Sequence, residues 1–560
     1  MGGEFNLRRK PHGRPFIVLS YPDAYEIGIS NPGLQILYAY LSDATAARCE
    51  RAYCPWPDMA SLMRQSGVAL WTLESGLPVR AADLWGITLP HELTYTNVLE
   101  MLDLAAVPLH AEERGEEDPI VLGGGPATAN PAPLARFFDA FFVGEVEGRL
   151  DAIVEAMSAA GRAARLRRLA DIPGVWLPGI RRPASRQVFM GFSSAPPVTR
   201  PLVPLLEAVH DRAVVEVMRG CTAGCRFCQA GMWYRPVRER PVEMIVAAAR
   251  DLLRQTGCDE VSLISLSSCD YTGVEESVRQ IRALRPGVRV SLPSLRLDSA
   301  AMRLAQLGSD QRGSVTLAPE AGTQRLRDAI NKRVDDEMLI EAADATFRSG
   351  FGGLKLYFMI GLPGETDEDV TAIAALTKRV RDRARARAGG RARLAVAVSS
   401  FVPKAWTPFQ WETLAGLQEL ERRQALLRGC WPHGVKLAFH DARASVVEAA
   451  LARGDEETGA VLEAAWRRGA RFDAWSEWFS LERWEQAAVE CGVSLHEAAA
   501  TRGAAAAFLP WTVCDALVDE AFLTEERVRA EQGRTTDDCR AGACAACGVC
   551  AGEVAMDLVV

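Results

Sequence analysis

The sequence has no stretch of about 18 uninterrupted apolar residues, the length that a membrane-spanning helix requires. Its amino terminus lacks the apolar core of a secretory signal, and internal repeats and low-complexity tracts are missing. With 14 cysteines in 560 residues, the chain has too few for a disulfide scaffold. Hydrophobic residues make up 48% and charged residues 24%, which excludes a mainly disordered or fibrous protein. We therefore expect a cytoplasmic protein with several hydrophobic cores.

The chain also lacks an excess of positive charge. It carries 64 basic and 72 acidic side chains, a formal net charge of -8, so the molecule as a whole repels polyanions. One basic run at 378–393 contains seven arginines and a lysine. We interpret it as a solvated helix face, with a local nucleic-acid contact as the alternative, because no aromatic residues are interleaved with the charges.

Seven of the cysteines lie in two tight groups, a pattern that favours metal chemistry, whereas the scattered seven are expected to be small core residues. The first group, Cys221, Cys225 and Cys228, lies in a glycine-containing loop after a β-branched segment. Three thiolates can hold three irons of a [4Fe-4S] cube, whereas a closed site needs a fourth ligand nearby. The remaining iron can bind a small molecule through its amine and carboxylate, while Phe227 shields the cluster from water.

This Cys-x3-Cys-x2-Cys loop, with an aromatic residue before its last cysteine, resembles the signature of the radical S-adenosylmethionine (radical SAM) superfamily. The resemblance implies an enzyme that reductively cleaves SAM at a [4Fe-4S] cluster to a 5'-deoxyadenosyl radical. The radical then modifies an inert carbon of the substrate, and a flavodoxin or ferredoxin supplies the electron. The residues alone also allow a zinc site completed by a distant histidine.

Strand and helix patterns alternate around these cysteines, which is typical of a parallel sheet covered by helices. We predict a partial (β/α)6 barrel whose strands lie at 213–220, 260–268, 289–297, 313–320, 354–361 and 392–401. Helices are expected near 240–256, 274–284, 299–307, 335–349 and 367–387. In such barrels the reacting groups gather at the carboxyl ends of the strands.

Polar residues at these strand ends are the candidate cofactor contacts. The resemblance to radical SAM barrels places Ser267 and Ser268 where the family's backbone contacts the methionine amine. Ser294, Arg296 and Glu320 are expected to face the ribose and carboxylate of SAM. An arginine can hold a carboxylate bidentately, and a carboxylate can accept from hydroxyls or an amine. Ordinary hydrogen bonding at the barrel mouth is the alternative.

Gly361 and Leu362 begin a Gly-Leu-Pro-Gly-Glu-Thr turn after the fifth predicted strand. The turn resembles the motif whose backbone lies beside adenine in radical SAM barrels. A plain turn that starts a helix would have the same sequence.

Residues 16–170 show a second β/α alternation, which predicts a doubly wound sheet. The glycines at 123–125 end a strand and could let a flat cofactor or a phosphate approach the backbone. The region resembles the cobalamin-binding domain that precedes many radical SAM barrels. It lacks that family's Asp-x-His-x-x-Gly motif, and His91 and His110 lie in other contexts. Cobalamin binding without a protein ligand and a role as an interaction platform both remain open.

After the barrel, the pattern predicts a helical module at 436–535, with its tryptophans in the core. The tail then carries Cys539, Cys544, Cys547 and Cys550 among small residues. Four thiolates can close around one iron-sulfur cluster or one zinc ion. We favour a second iron-sulfur cluster over zinc.

The predicted domain organisation is α/β with a helical carboxyl-terminal part. It comprises an extension (1–15), a cobalamin-binding-like domain (16–170), a linker (171–205), the radical SAM barrel (206–435), the helical module (436–535) and the four-cysteine tail (536–560). The barrel also resembles methylthiotransferases that modify tRNA and a ribosomal protein. The leading hypothesis is methyl or sulfur transfer to RNA or protein. The rival is an iron-sulfur RNA- or ribosome-associated binding or assembly factor that uses the barrel as a scaffold.

Overall fold

The computed structural model describes residues 3–180, 182–209, 212–292, 314–499 and 509–559. The chain forms two compact units, each assembled from separate segments. The first unit comprises Met1–Gly191, Arg200–Asp211 and Val447–Leu517, and the second comprises Phe192–Thr199, Arg212–Val446 and Val518–Val560. Across the described ranges, no helix combines the length and the apolar character needed to cross a membrane.

The amino-terminal part of the first unit is an α/β fold. Its strands are β1 (Glu4–Phe5), β2 (Phe16–Tyr21), β3 (Arg48–Tyr53), β4 (Leu84–Thr88), β5 (Ile120–Gly124), β6 (Ala140–Phe142), β7 (Val175–Trp176), β8 (Ala184–Ser185) and β9 (Val203–Pro204). Its helices are α1 (Tyr25–Gly28), α2 (Pro32–Ala44), α3 (Pro57–Ser66), α4 (Tyr95–Leu104), α5 (Leu150–Ala156) and α6 (Arg162–Ala170).

The main sheet of this unit has the strand order β3-β2-β4-β5-β6-β7, and only β7 runs antiparallel to its neighbour. Strand β2 is buried along its whole length, as expected for an apolar run covered on both faces of a parallel sheet. Helix α2 begins at Pro32 after Asn31, whose side chain accepts a hydrogen bond from the amide of Leu34. The doubly wound prediction is confirmed.

The second unit contains the barrel strands and their helices. The strands are β10 (Ala213–Glu216), β11 (Met218–Arg219), β12 (Arg238–Glu239), β13 (Glu260–Ile264), β14 (Arg289–Ser291), β15 (Ser314–Glu320), β16 (Gly353–Ile360), β17 (Arg393–Ser400) and β18 (Lys436–Phe439). The helices are α7 (Gln229–Trp233), α8 (Val242–Thr256), α9 (Val274–Ala283), α10 (Gln324–Ala329), α11 (Asp336–Arg348), α12 (Asp367–Ala388) and α13 (Leu417–Gly429).

These strands form a parallel sheet β10-β13-β14 and a second parallel sheet β15-β16-β17-β18. All six predicted strands are present in the described residues, although the first is divided into β10 and β11, and residues 293–297 of the third lie outside the described residues. The predicted helix at 299–307 lies outside the described residues. Strand β18 extends the sheet by four residues of the segment for which helices were predicted.

The carboxyl-terminal part is mainly helical, as predicted. Its elements are α14 (Ala442–Arg453), α15 (Thr458–Arg467), α16 (Leu481–Glu490), α17 (Leu495–Ala499), β19 (Cys514–Asp515) and α18 (Glu520–Glu531). Strand β19 pairs with β8, which ties this late segment to the first unit. Trp466, Trp484 and Trp511 are buried core residues, whereas Trp478 is 41% exposed.

Candidate functional site

The loop that carries the first three cysteines follows β11 directly, and glycines fix its path. Gly220 has φ +83°, and a Cβ atom there would lie 2.4 Å from the carbonyl oxygen of Pro236. Gly224 has φ +72°, in the left-handed region that glycine adopts without strain. The loop ends at Cys228, whose Sγ accepts a hydrogen bond from the amide of Gly231 in the first turn of α7 at 3.3 Å. Both ends of the loop are therefore held by local backbone geometry.

The three thiols of this loop lie near one another. Burial raises the pKa of Cys228 to about 12. The neighbouring Cys225 thiol is the second largest cause of this increase, and Cys221 makes a smaller contribution. No disulfide joins any of the cysteines, all of which belong to the described residues. Within the described ranges, no three His, Cys, Asp or Glu side chains are arranged around a single metal ion. A [4Fe-4S] cube binds each thiolate at a different iron, so its cysteines need not converge on one point.

Arg226, between the second and third cysteines of the motif, anchors the loop. Its side chain is fully buried, and its Nε lies 3.0 Å from the Glu526 carboxylate. The same guanidinium donates to the carbonyl oxygens of Ala329 at 2.9 Å and Arg534 at 2.7 Å. The loop is thus fixed to the end of α10 and to the carboxyl-terminal segment of the second unit. These partners, which are distant in sequence, were not predicted.

Asn331 forms a second link between the same elements. Its side-chain amide donates to the carbonyl oxygens of Ala223 at 3.2 Å and Gly224 at 3.1 Å, within the cysteine loop. Its Oδ1 accepts from the amide of Thr536 at 2.8 Å. Thr536 precedes Cys539 by three residues, which span at most roughly 10 Å of chain. The first tail cysteine is therefore close to the hydrogen bond that joins Thr536 to Asn331.

Phe227 packs into an apolar cluster at the mouth of the barrel. The cluster contains Met359 and Leu362 at the end of β16 and Phe401 directly after β17. The cysteine loop therefore lies at the carboxyl ends of parallel strands, where barrel enzymes gather their reacting groups. The contact also covers the side of the loop between Cys225 and Cys228 with apolar surface.

Glu320 and Lys332 form a charged pair beside this loop. Glu320 ends β15 with φ +68°, a conformation that is strained for a residue other than glycine and is common at functional sites. Lys332 Nζ lies 3.3 Å from the Glu320 carboxylate, and both side chains are largely buried. Burial raises the pKa of Glu320, and Lys332 opposes this shift while also lowering the pKa of Cys228. Lys332 was not predicted, because only the turn after α10 brings it to the strand end.

The other predicted cofactor contacts have different positions. Ser268 follows β13, but its hydroxyl donates to the carbonyl oxygen of Leu263 at 3.0 Å, and Ser267 is buried in the same turn. Gly361 has φ +85° and Leu362 is buried in the apolar cluster that contacts Phe227. Ser294 and Arg296 lie outside the described residues.

The four tail cysteines form a second group. Cys544 and Cys547 both raise the pKa values of Cys539 and Cys550, so the four thiols are electrostatic neighbours. Burial is the largest cause of each shift, and the nearby Arg235 cation opposes it. A cation beside four thiols suits a metal centre whose thiolate ligands carry negative charge.

The tail backbone turns sharply around these thiols. Ala546 has φ +52° and Gly548 has φ +84°. The amide of Ala546 donates to Cys544 Sγ at 3.4 Å. The amide of Asp519 donates to the carbonyl oxygen of Cys547 at 3.0 Å and fixes the turn to the start of α18.

Arg540, which follows the first tail cysteine, contacts the barrel. Its guanidinium donates to the carbonyl oxygen of Asp270 at 2.6 Å, in the turn that follows β13. Burial acts to lower the pKa of Arg540, but Asp538, with smaller contributions from Asp270 and Cys221, raises it overall. The start of the tail is therefore packed against the barrel close to the first cysteine group.

The basic run lies largely on α12, and acidic residues of α11 compensate much of its charge. Arg383 and Arg387 lie 3.1 Å and 2.9 Å from Asp344, whose pKa falls to about 2 because Arg387 hydrogen-bonds its carboxylate. Arg379 pairs with Glu337 at 2.7 Å. These ion pairs favour the interpretation as a helix face over that of a nucleic-acid site.

Two family models match separate parts of the chain. The family model "Radical SAM proteins, N-terminal" matches residues 33–178, and "Radical SAM superfamily" matches residues 215–377. An uncharacterised protein of Methanocaldococcus jannaschii is 26% identical over 452 residues, which cover 80% of this chain and 90% of that protein. The ribosomal protein uS12 methylthiotransferase RimO of Kineococcus radiotolerans is 24% identical over 263 residues, 44% of this chain and 52% of the relative.

Among solved structures, the radical SAM methyltransferase TsrM of Kitasatospora setae, with cobalamin and a [4Fe-4S] cluster bound, aligns with a TM-score of 0.49. The two chains are 16% identical, and the alignment covers 69% of this chain and 75% of TsrM.

Proposed function

We propose that this chain, which carries the radical SAM superfamily domain, holds a [4Fe-4S] cluster at Cys221, Cys225 and Cys228 and uses SAM to modify an inert carbon of its substrate. The observation that carries the proposal is the grouping of these three thiols on one loop, which Phe227 packs against the carboxyl ends of the barrel strands. Three soft thiolates suit iron, and the family's chemistry requires an iron that no cysteine occupies.

The bound cluster would supply an electron that cleaves SAM to methionine and the 5'-deoxyadenosyl radical, which takes a hydrogen atom from the substrate. The protein's contribution is to hold the reactants and to exclude water. Arg226 and Asn331 fix the cysteine loop, and Phe227 covers one side of it with apolar surface.

Lys332 and Glu320 are the side chains best suited to bind SAM. An ammonium group that lies 3.3 Å from Glu320 and lowers the pKa of the Cys228 thiol can pair with the carboxylate of SAM. Glu320 can then accept from the SAM amine or from ribose hydroxyls. Ser267, Ser268, Gly361 and Leu362 remain proposed contacts through the backbone, because the described side chains are used internally or are apolar.

We assign the reaction to the methyl- or sulfur-transfer class, with RNA or protein as the substrate. The methylthiotransferase relative is named for ribosomal protein uS12, and the chain spans about half the length of that relative. The reductant would be a flavodoxin- or ferredoxin-type electron donor.

We further propose that Cys539, Cys544, Cys547 and Cys550 hold a second iron-sulfur cluster. Four neighbouring thiols, a sharply turned backbone and the Arg235 cation support a metal site in the tail. Zinc is the other metal that four thiolates bind readily, so iron and zinc counts on the wild type and on Cys544→Ala distinguish the two.

Anaerobic reconstitution with iron and sulfide, followed by dithionite and SAM, tests the enzymatic proposal. We expect 5'-deoxyadenosine and methionine to form in equal amounts. A protein with its full iron content that forms no 5'-deoxyadenosine would contradict the proposal and favour the iron-sulfur binding or assembly factor.

A further inference from the structure

The doubly wound sheet of the first unit has a definite position at which such sheets bind ligands. Strands β3 and β4 flank β2, so the chain winds in opposite directions from this strand. Ligands of open α/β sheets bind outside the carboxyl ends of the strands at such a switch point. If the amino-terminal domain binds a cofactor, its expected place is beside the ends of β2 and β4.

A buried amide already bridges this position. Asn97, in the first turn of α4, is 1% exposed. Its Nδ2 donates to the carbonyl oxygen of Pro22, just after β2, at 2.9 Å. Its Oδ1 accepts from the amide of Phe472 at 2.7 Å. Both polar atoms of the side chain are thus bonded to protein backbone across the switch point.

Aromatic side chains of the carboxyl-terminal segment fill the space beside Asn97. The ring of Phe472 stacks on Trp56, which follows β3, with a centroid separation of 4.7 Å and an interplanar angle of 19°. The Trp475 ring contacts Trp56 edge-on at 5.0 Å. Trp475 Nε1 donates to the carboxylate of Asp23, which follows β2, at 3.1 Å. The short segment Phe472–Trp475 therefore contacts residues that follow β2 and β3, and the Phe472 amide is bonded to Asn97 of the helix that follows β4.

The neighbouring Asp473 anchors this segment from within. It is 2% exposed and accepts from Thr96 Oγ1 at 2.7 Å and from Trp484 Nε1 at 3.2 Å. Such buried, fully bonded carboxylates are costly to separate from their partners. Phe472 and Asp473 consequently belong to the core of the unit.

The glycine run at 123–125 is also used by the sheet itself. A Cβ atom at Gly123 would lie 2.8 Å from the Phe141 ring, and one at Gly125, which has φ +110°, would lie 3.0 Å from the carbonyl oxygen of Leu89. Open space adjoins Gly124, whose carbonyl oxygen accepts from the Leu89 amide at 2.6 Å. Two of the three glycines are thus required by internal packing and need no cofactor to explain them.

We infer that Phe472–Trp475 occupies the ligand position of the amino-terminal sheet, so that this domain is an internal docking surface for the carboxyl-terminal module and is not a cobalamin site. The residues do not fit the cofactor that the domain's resemblance implies, because its expected place is filled by the buried Phe472 and Asp473 and the half-buried Trp475. The inference rests on the proposed function. It narrows that function to group transfer in which no cobalamin is bound at the carboxyl ends of the strands of the amino-terminal sheet.

Cobalamin binding by the full-length protein provides the test. The protein is produced in cells supplied with cobalamin, and the purified chain is titrated with hydroxocobalamin. We expect no cobalt above the level of an unrelated control protein and no change in tryptophan emission. One cobalamin per chain would overturn the inference. SAM cleavage is measured on the same preparation, so failure of the proposed function is detected separately.

A second measurement tests directly whether Phe472–Trp475 occupies the ligand position. Asp473→Asn and Trp475→Phe should weaken the contacts of the segment Phe472–Trp475. Trp478→Phe is the control, because Trp478 is exposed and lies three residues after Trp475. We expect the first two variants to unfold at lower temperature than the wild type and Trp478→Phe to match it. Equal midpoints for all three variants would overturn the inference, because an unfilled crevice would not depend on this segment.

Discussion

The guanidinium of Arg226 and the carboxylate of Glu526 form a buried ion pair between residues 300 positions apart. The exposed fractions of the two side chains are 0% and 4%. The pair joins the loop of the first cysteine group to α18, which precedes the second group. Because both side chains are buried, α18 is an integral part of the barrel mouth.

Replacing Arg226 with methionine is expected to lower the free energy of unfolding by about 3–5 kcal/mol, because it removes the buried cation that pairs with the Glu526 carboxylate. The iron content of the reconstituted protein should fall as well. Arg422→Gln is the control, since its pair with Asp367 is exposed and solvent screens it, so its loss should change the stability little. Urea unfolding and iron analysis measure both effects. Equal destabilisation by the two substitutions would refute the anchoring role.

The two cysteine groups are expected to have separate roles. Cys225→Ala should abolish 5'-deoxyadenosine formation, because two thiolates are too few to hold the SAM-binding cluster. Cys544→Ala should lose iron from the tail while retaining part of the cleavage activity. Quantification of 5'-deoxyadenosine in both variants tests this difference, and an identical loss in the two would argue against separate roles.

Lys332→Met should weaken SAM binding by roughly 10- to 100-fold, which corresponds to a lost charged hydrogen bond of about 1.5–3 kcal/mol. Lys332→Arg keeps the positive charge and should retain most of the affinity. Equilibrium dialysis with labelled SAM, on protein with full iron content, provides the measurement. Unchanged binding by Lys332→Met would remove this residue from the proposed site.

Phe227→Ala should shorten the lifetime of the first cluster in air, because it removes apolar cover between Cys225 and Cys228. The substitution should also destabilise the protein by about 1–3 kcal/mol. Phe227→Leu keeps much of the apolar volume and is the matched control. The decay of cluster absorbance after exposure to oxygen compares them, and equal decay rates would show that the ring does not protect the cluster.

Local patterns were sufficient to predict much of the fold. The mainly apolar runs that form β13 and β16 and the spacing of Cys221, Cys225 and Cys228 are properties of short segments. Hydrophobic periodicity and the spacing of metal ligands can be recognised within such short segments of sequence. The doubly wound sheet and the barrel strands followed from the same kind of signal.

Long-range contacts could not be predicted in this way. Lys332 reaches Glu320 only through the turn after α10, and Arg226 finds its partner in α18. Likewise, no local signal shows that Phe472 packs on Trp56 more than 400 residues earlier in the chain. Strand β18 was missed because four residues beside a parallel neighbour carry little periodicity.

The central claim is that three cysteines leave one iron of the first cluster open to SAM. Electron paramagnetic resonance of the dithionite-reduced protein tests it most directly, in a variant in which Cys544, Cys547 and Cys550 are alanine and only the first cluster can form. The account predicts that adding SAM shifts the g values of the reduced cluster and that Cys225→Ala in the same background removes the signal. A fully iron-loaded protein whose spectrum is identical with and without SAM would contradict it.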